Sequence, residues 1–365
     1  MQRGRPDDFR RNLMHGHNGT RYGNCCWSYH PFYRYQFQII SRWLRFHLQQ
    51  PLTFEQARPV LRTQPAPSVA TPHTQEKLAV RLPNWLGDTL MAYPLLNGLN
   101  QAGVDFTCFG HPWAGDIFGA TGFSIVADER IRDKRWLAHQ YRQGGFSRAL
   151  LCPSSWSAWI PAALAGLPST GHHPLSSPRI RKDPDAHRVE HYFELGRVAM
   201  GGVAKPNRIN GFIPLDSRSM DQVDALLSGL VEAPFVVVCP YATNLHKGMD
   251  KEWPHWREFI NGYTDKPLLG LVAPEDKARF AKDYPTTAVI STRLSETAAI
   301  MCRADHVITN DSGAMHLASF FGASAVGLLG VTNHRETQPW FGTSLSGTGQ
   351  PWPCLDDLSQ HLTKG

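Results

Sequence analysis

Short apolar runs typical of buried strands alternate with segments of helical pattern from Lys77 onward, and this alternation most constrains the fold. The run PFVVVCP at 234–240 is the clearest, because nearly every residue is apolar over the length of one strand. The predicted strands are 77–82, 105–110, 123–128, 147–153, 234–240, 267–274, 288–292, 306–310 and 324–330. The predicted helices are 88–102, 154–168, 187–201, 256–263, 275–284, 295–303 and 312–321. Alternation in two blocks, the second opening near residue 233, predicts an α/β protein of two doubly wound domains with a cleft between them.

Two parts of the first block are less regular. Pro94 falls inside the predicted helix 88–102 and is expected to disturb its hydrogen bonding. Residues 154–168 are apolar and small, as in a buried helix, and residues 169–186 are polar and rich in Pro, which predicts a loop.

Length and composition indicate a soluble protein of a reducing compartment. The 365 residues are 42% hydrophobic and 19% charged, which fits two globular domains. We find neither a run near the roughly 18 apolar residues of a membrane span nor a secretory signal. The seven cysteines are irregularly spaced and form no CxxC pair. This pattern argues against disulfides and a structural zinc site and favours a reducing cytoplasm. No GxGxxG follows the first strand, so no dinucleotide cofactor is indicated.

The basic charge is confined to the N-terminal segment. Residues 1–50 contain eight Arg and two Asp, a balance of +6 that equals the net charge of the whole chain. The remaining residues therefore balance at zero, which argues against a nucleic-acid partner.

The segment 1–75 differs from the rest in composition and is expected to be an extension, disordered or helical. Residues 32–48 place aromatic and apolar side chains on one helical face and Arg on the other, as in a helix that lies in a membrane interface. The alternative explanations are that this helix packs on the protein, or that the start codon is assigned too far upstream. Residues 62–75 are rich in Pro, Thr and Ala and predict a linker.

Three loops follow predicted strands and contain groups suited to chemistry. The first, 83–88, ends in Gly87 and Asp88, at the strand end where open α/β sheets bind ligands. A carboxylate there can remove a proton from an acceptor hydroxyl, although Asp is also a common helix N-cap.

The second loop, 241–254, mixes hydroxyl, amide and Lys side chains before Trp253 and Pro254. Such a loop can hold a diphosphate, with Lys as a compact positive charge, or it can be a solvated surface loop.

The third loop, 310–316, opens a helix with the residues Asn-Asp-Ser-Gly. Backbone N–H groups at a helix start attract anions, Gly313 permits close approach, and Ser312 can donate to a phosphate. The same four residues also occur as an ordinary turn and cap.

Taken together, the three loops resemble one family. The chain from about Lys77 to Trp340 resembles the bacterial lipopolysaccharide heptosyltransferases, glycosyltransferase family 9. The segment LPNWLGDTLMAYPLL at 82–96 resembles the heptosyltransferase II form of the first motif. KEWPHWREFI at 251–260 and NDSGAMHLASFFGASAVGLLG at 310–330 resemble the Lys-x-Trp-Pro and nucleotide-sugar motifs, in the same order.

The resemblance implies a GT-B fold, in which two Rossmann-like domains face each other across a cleft. Residues 76–215 would bind the acceptor and residues 216–365 the nucleotide sugar. The implied donor is ADP-L-glycero-D-manno-heptose, and the implied acceptor is lipid A carrying Kdo and the first heptose. The implied transfer inverts the anomeric centre and uses neither a metal ion nor a cofactor. A lipid-linked acceptor further implies a peripheral protein at the cytoplasmic face of the inner membrane.

The resemblance also assigns roles to residues. Asp88 matches the general base and Lys251 the phosphate-binding lysine, which would offset the charge on the departing ADP. Asn84 and Gly87 lie in the loop of the base and are expected to contact substrate. The remaining residues expected to bind the donor are Thr243, Lys247, Glu275, Asp311, Ser312, Gly313 and His316.

Two departures from the family pattern leave alternatives open. Lys247 precedes Lys251 by four residues, so either can contact phosphate, although Lys251 fits the spacing to Trp253 better. The stretch VTNHRETQPW at 331–340 lacks the Pro of the family's Gly-Pro-Thr. A family 9 enzyme for another nucleotide sugar or glycan acceptor and a non-catalytic nucleotide- or glycan-binding relative are the alternative functions. The second is disfavoured because a binding protein needs no base at Asp88.

Overall fold

The computed structural model describes residues 76–202, 206, 211–242 and 248–364. The predictions for the segment 1–75 lie outside these residues. Within them, none of the helices combines the length and the apolar character that a bilayer span needs.

The first half of the chain forms a five-stranded parallel sheet in the order β3-β2-β1-β4-β5. Its central strand β1 is almost wholly buried, which explains the apolar run at 78–80 between Lys77 and Arg81. The strands are β1 (Lys77–Arg81), β2 (Asp105–Gly110), β3 (Ser124–Ala127), β4 (Arg148–Leu151) and β5 (Ser169–Gly171).

The second half forms a six-stranded parallel sheet in the order β11-β10-β9-β6-β7-β8. The strands are β6 (Val236–Cys239), β7 (Leu268–Leu271), β8 (Ala288–Ile290), β9 (His306–Asn310), β10 (Ala325–Leu329) and β11 (Thr343–Ser346). Two parallel sheets linked by helical crossovers confirm the predicted doubly wound α/β architecture.

Helices connect the strands in both halves. In the first half they are α1 (Leu86–Met91), α2 (Tyr93–Gln101), α3 (Pro112–Phe118), α4 (Lys134–Gln143), α5 (Trp156–Leu164) and α6 (Arg188–Gly196). In the second half they are α7 (Ser217–Leu227), α8 (Trp256–Gly262), α9 (Lys277–Asp283), α10 (Leu294–Arg303), α11 (Gly313–Phe321), α12 (His334–Thr337) and α13 (Leu355–Lys364).

The predicted helix 88–102 is divided, as Pro94 suggested. Helix α1 ends before Ala92, and α2 begins at Tyr93 with Pro94 in its first turn. Proline is tolerated there because the first N–H groups of a helix have no partner inside it.

Two expectations for the end of the first block are wrong. Trp156 and Leu164 lie at the two ends of α5 and are 59% and 49% exposed, so this helix is not buried as a whole. The predicted loop 169–186 begins with strand β5, whose three residues are fully buried and pair with β4. A three-residue strand is too short to show a periodic pattern in the sequence.

One apolar cluster joins the two halves. It includes Leu78 and Leu90 from the first half and Leu317 and Phe320 from the second. Helices α1 and α11 pack directly on each other at its centre, so the loops that precede these helices meet at the cleft.

Candidate active site

The cleft contains a cavity of about 810 Å³ at the carboxyl ends of both sheets. On the first side, a short loop leads from β1 into α1 and is closed by a hydrogen bond from Thr89 Oγ1 to the carbonyl of Pro83, at 3.1 Å. The second side is formed by the ends of β6, β7 and β9. Seven residues predicted for the site line this cavity: Gly87, Asp88, Lys251, Asp311, Ser312, Gly313 and His316.

Two glycines allow the first and third loops to touch. A Cβ on Gly87 would lie 2.7 Å from Cδ2 of His316, and a Cβ on Gly313 would lie 3.1 Å from Leu86. The first distance is shorter than carbon contacts allow, so a side chain at Gly87 would push the two halves apart.

The carboxylate of Asp88 is held by two donors from α6. Tyr192 Oη donates to Oδ1 at 2.9 Å, and Nη1 of Arg188 donates to the same oxygen at 3.0 Å. Burial, together with the charge of Asp88, raises the pKa of Tyr192 well above its usual value, so the phenol stays protonated and donates. Oδ2 of Asp88 accepts no hydrogen bond from any described residue.

Arg188 also reaches the second half, where its guanidinium hydrogen-bonds Glu336 of α12. Burial alone would lower the pKa of Arg188, but the two carboxylates raise it above the usual value. For the acid Glu336, burial would raise the pKa, but its hydrogen bond and ion pair with Arg188 lower it below the usual value. Arg188 and Glu336 are therefore both charged at neutral pH.

Asp311 is the buried acid of the third loop, with its side chain 6% exposed. Thr337 Oγ1 donates to Oδ2 at 2.9 Å, and Nζ of Lys251 lies 3.9 Å from the same oxygen. Nε2 of His316 lies 4.0 Å from Oδ1. The loop thus gathers an acid, a lysine and a histidine around one face of the cavity.

Burial lowers the pKa of His316 although Asp311 works in the opposite direction, so the imidazole is neutral at pH 7. Its Nδ1 has no hydrogen-bond partner in the described part of the chain, and neither has Oγ of Ser312 or Thr332. Buried polar atoms are rarely left unpaired in native proteins. Three such atoms in residues that line one cavity indicate a site for a polar ligand.

Asn310 connects the second and third loops. Its Oδ1 accepts hydrogen bonds from the backbone N–H of Trp253 and from Nε1 of Trp256, both at 2.9 Å. Its Nδ2 donates to the carbonyl of Pro240 at 2.7 Å. These bonds fix the stretch that follows Lys251 against the end of β9, which keeps Lys251 beside Asp311.

Two predicted residues lie away from the cavity wall. The side chain of Asn84 accepts a hydrogen bond from Arg81 at 2.7 Å and does not line the cavity. Glu275 is exposed to solvent, whereas its neighbour Asp276 lines the cavity. Thr243 and Lys247 lie outside the described residues.

The sequence did not predict the four residues that hydrogen-bond Asp88, Arg188 or Asp311 in this network: Arg188, Tyr192, Glu336 and Thr337. Arg188 begins the helix predicted at 187–201, and Glu336 lies in the stretch that departs from the family pattern. Both residues therefore lie in segments that stand out in the sequence, but the spacing of residues does not show that their side chains lie next to Asp88 or Asp311.

The comparisons with known proteins decide the family. The model of glycosyltransferase family 9 (heptosyltransferase) matches residues 134–360, more than half of the chain. The protein belongs to glycosyltransferase family 9. This confirms the predicted family and identifies the chain as a glycosyltransferase. Among curated proteins, no sequence matches significantly.

Solved structures of the family share the architecture of this glycosyltransferase. The ADP-heptose lipopolysaccharide heptosyltransferase II of E. coli is 19% identical, with a TM-score of 0.63 over 79% of this chain and 99% of that chain. A family 9 enzyme of Veillonella parvula is 18% identical, with a TM-score of 0.63 over 79% and 89%. The E. coli heptosyltransferase WaaC with ADP is 17% identical, with a TM-score of 0.59 over 79% and 99%. These matches confirm the predicted GT-B fold.

Proposed function

We propose that this glycosyltransferase moves heptose from ADP-L-glycero-D-manno-heptose to the first heptose of the lipopolysaccharide inner core. We further propose that the transfer inverts the anomeric centre and needs no metal ion. One observation carries the proposal: a carboxylate with an unpaired oxygen, on Asp88, shares a cavity with Lys251 and the loop of Asp311. The names of the structurally similar E. coli enzymes supply the donor and acceptor class.

In the proposed reaction, Asp88 acts as general base. The acceptor oxygen attacks the anomeric carbon from the face opposite to ADP, and the bond from that carbon to the phosphate oxygen breaks. The proton of the acceptor hydroxyl passes to Oδ2 of Asp88, and ADP leaves with the bonding electrons. Lys251 offsets the negative charge that grows on the departing diphosphate.

The third loop is the proposed diphosphate and sugar site. The N–H groups at the start of α11 would donate to phosphate oxygens, as at other helix N-termini. Oγ of Ser312 would donate as well, because it has no hydrogen-bond partner among the described residues. Asp311 would accept from the sugar hydroxyls, with Thr337 fixing its orientation. Thr243 and Lys247 are proposed as further diphosphate contacts.

The carboxyl end of β7 is the proposed nucleoside site. Val272 and Met301 give this part of the cavity apolar walls suited to an adenine ring. Asp276 lines the cavity and would accept from the ribose hydroxyls in place of its exposed neighbour Glu275.

The acceptor is proposed to bind residues 76–215 and the donor residues 216–365. Residues 76–215 contain 15 basic and 11 acidic residues, whereas residues 216–365 contain 12 and 17. A surplus of positive charge on the first half suits an acceptor that carries carboxylates and phosphates. The enzyme would act as a peripheral protein at the cytoplasmic face of the inner membrane, where such an acceptor is lipid-anchored.

A mass-spectrometric transfer assay tests the proposal. Full-length protein is mixed with ADP-heptose and lipid A carrying Kdo and one heptose, and we expect a product heavier by one heptose together with released ADP. Binding of ADP-heptose without transfer would contradict the acceptor assignment. Absence of both would contradict the donor and favour another nucleotide sugar or a non-catalytic role.

Replacing the proposed base gives the first mutational prediction. Asp88→Ala is expected to bind the donor normally and to lose turnover by about 100-fold or more, the usual size of general-base effects. Asp105→Ala removes an exposed carboxylate at the amino end of strand β2, away from the carboxyl ends that face the cavity, and serves as the matched control. Normal turnover of Asp88→Ala would exclude Asp88 from the mechanism.

A further inference from the structure

Arg188 is the one charged side chain of the described site that hydrogen-bonds carboxylates from both halves. Its Nη1 lies 3.0 Å from Oδ1 of Asp88 in the first half, and its Nε lies 3.1 Å from Oε1 of Glu336 in the second. The planar guanidinium suits this task, because its fixed donors can serve two carboxylates at once. An ammonium group at the same position has no such geometry.

The position of Arg188 is fixed by the residue before it. His187 caps α6, since its Nδ1 accepts from the N–H of Val189 at 3.2 Å. Its Nε2 donates to the carbonyl of Gln338 in the second half at 2.8 Å. The start of α6 is therefore attached to the second half at two adjacent points, His187 and Arg188.

The network leaves Asp88 with one oxygen bound and one oxygen open. Tyr192 and Arg188 both donate to Oδ1, which fixes the rotation of the carboxylate, and Oδ2 stays available to the cavity. A base that is held in one orientation has less freedom to lose when the acceptor hydroxyl arrives.

Glu336 gives the guanidinium of Arg188 a second carboxylate partner. It offsets the positive charge of Arg188 and holds the guanidinium in place, so that the hydrogen bond from Nη1 orients Asp88.

We propose that Arg188 is a positioning residue that, anchored by Glu336, aims Oδ2 of Asp88 at the acceptor hydroxyl when the two halves are together. The inference rests on the proposed role of Asp88 as base and deepens it. It couples the arrangement of the halves to the orientation of the base, because Glu336 and Gln338 belong to the second half and Asp88 to the first.

Steady-state kinetics of full-length variants test this role. Arg188→Met and Glu336→Gln are expected to lower kcat by roughly 10- to 100-fold, the cost of a misplaced catalytic group. The Kd for ADP should be unchanged in both. Arg188→Lys keeps the charge and should recover part of the kcat lost in Arg188→Met. Arg197→Met, which removes an Arg paired with Glu194 after the same helix, is the matched control.

A double variant separates positioning from a purely structural role. In the Asp88→Ala background, Arg188→Met should cause no further loss of kcat, because a residue that acts through Asp88 has nothing left to orient. Independent, multiplicative losses would overturn the proposal. Full turnover of Asp88→Ala would contradict the proposed base itself. Full turnover of Arg188→Met, with Asp88→Ala inactive, would overturn only the proposed role of Arg188.

A thermal-unfolding cycle tests the pairing without turnover. The Arg188→Met/Glu336→Gln double variant should lower Tm by less than the sum of the single variants, because each single change leaves a charge without its partner. Additive losses of Tm would show that the two side chains are not coupled and would overturn the proposal. This result does not depend on which sugar the enzyme transfers.

Discussion

The close approach of Gly87 to His316 explains why the loop before α1 has a glycine next to Asp88. Gly87 lies so close to His316 that a Cβ would overlap the imidazole ring, and His316 is itself buried with little room to move. The sequence identified both residues, but it assigned them to separate substrate contacts. Their contact with each other depends on how the two halves pack, which no local pattern encodes.

The pH dependence of stability is the prediction at this scale. Burial holds the pKa of His316 below its usual value of 6.5, so the unfolded chain binds a proton more readily than the folded one. Stability contributed by the neutral imidazole is therefore complete above pH 6.5 and is lost as the pH falls below it, until the folded state protonates. His316→Gln should reduce the loss of unfolding free energy between about pH 7.5 and about pH 5, measured by denaturant unfolding.

His139→Gln is the control for this measurement, because His139 is exposed on α4. The half-buried His111 and the buried His172, whose pKa values burial also lowers, remain in both variants and contribute to the residual slope. An unchanged pH slope in His316→Gln would contradict the burial argument.

At the scale of elements, Asn310 shows how a strand end organises the site. Replacing Asn310 with Ala would leave the N–H of Trp253, Nε1 of Trp256 and the carbonyl of Pro240 buried without this partner. We expect Asn310→Ala to lower the unfolding free energy by about 3 kcal/mol or more, since each unpaired buried group costs about 1–3 kcal/mol. The Kd for ADP should rise as well, because Lys251 loses its support.

Denaturant unfolding and calorimetric titration with ADP measure the two effects. Asn100→Ala, an exposed Asn at the end of α2, is the matched control. A loss of stability without any change in ADP affinity would show that Asn310 supports the strand but not the site.

Elements were predictable from the sequence where burial gave a long apolar run or a clear helical face. Strand β6 is buried at every position, and its pattern predicted it at once. Helix α7 was missed because its polar surface leaves only three buried residues in eleven. Strand β11 was missed because it lies at the sheet edge and is at most half-buried, which leaves no apolar run.

At the scale of the whole molecule, polar contacts join the two halves in addition to the apolar cluster, and the sequence gives no direct sign of them. Asp116 of α3 in the first half accepts hydrogen bonds from Ser295 of the second half, from its N–H at 3.1 Å and from its Oγ at 2.7 Å. Ser295 lies in the first turn of α10, so this carboxylate pairs an N–H group that the helix itself leaves unpaired. Asp116 therefore fastens the second half to the first at a distance from the proposed chemistry.

Asp116→Ala should loosen the two halves without touching the substrates. Each 1.4 kcal/mol lost from the closed arrangement shifts the ratio of closed to open molecules about tenfold, and a hydrogen bond to a charged group contributes about 1.5–3 kcal/mol. We expect kcat to fall by up to about tenfold while the Kd for ADP stays unchanged, since the residues proposed to bind the donor all belong to the second half. Small-angle scattering should show a larger radius of gyration than for the Asp105→Ala control. Unchanged scattering together with unchanged kcat would mean that the apolar contact between α1 and α11 holds the halves together without help from Asp116.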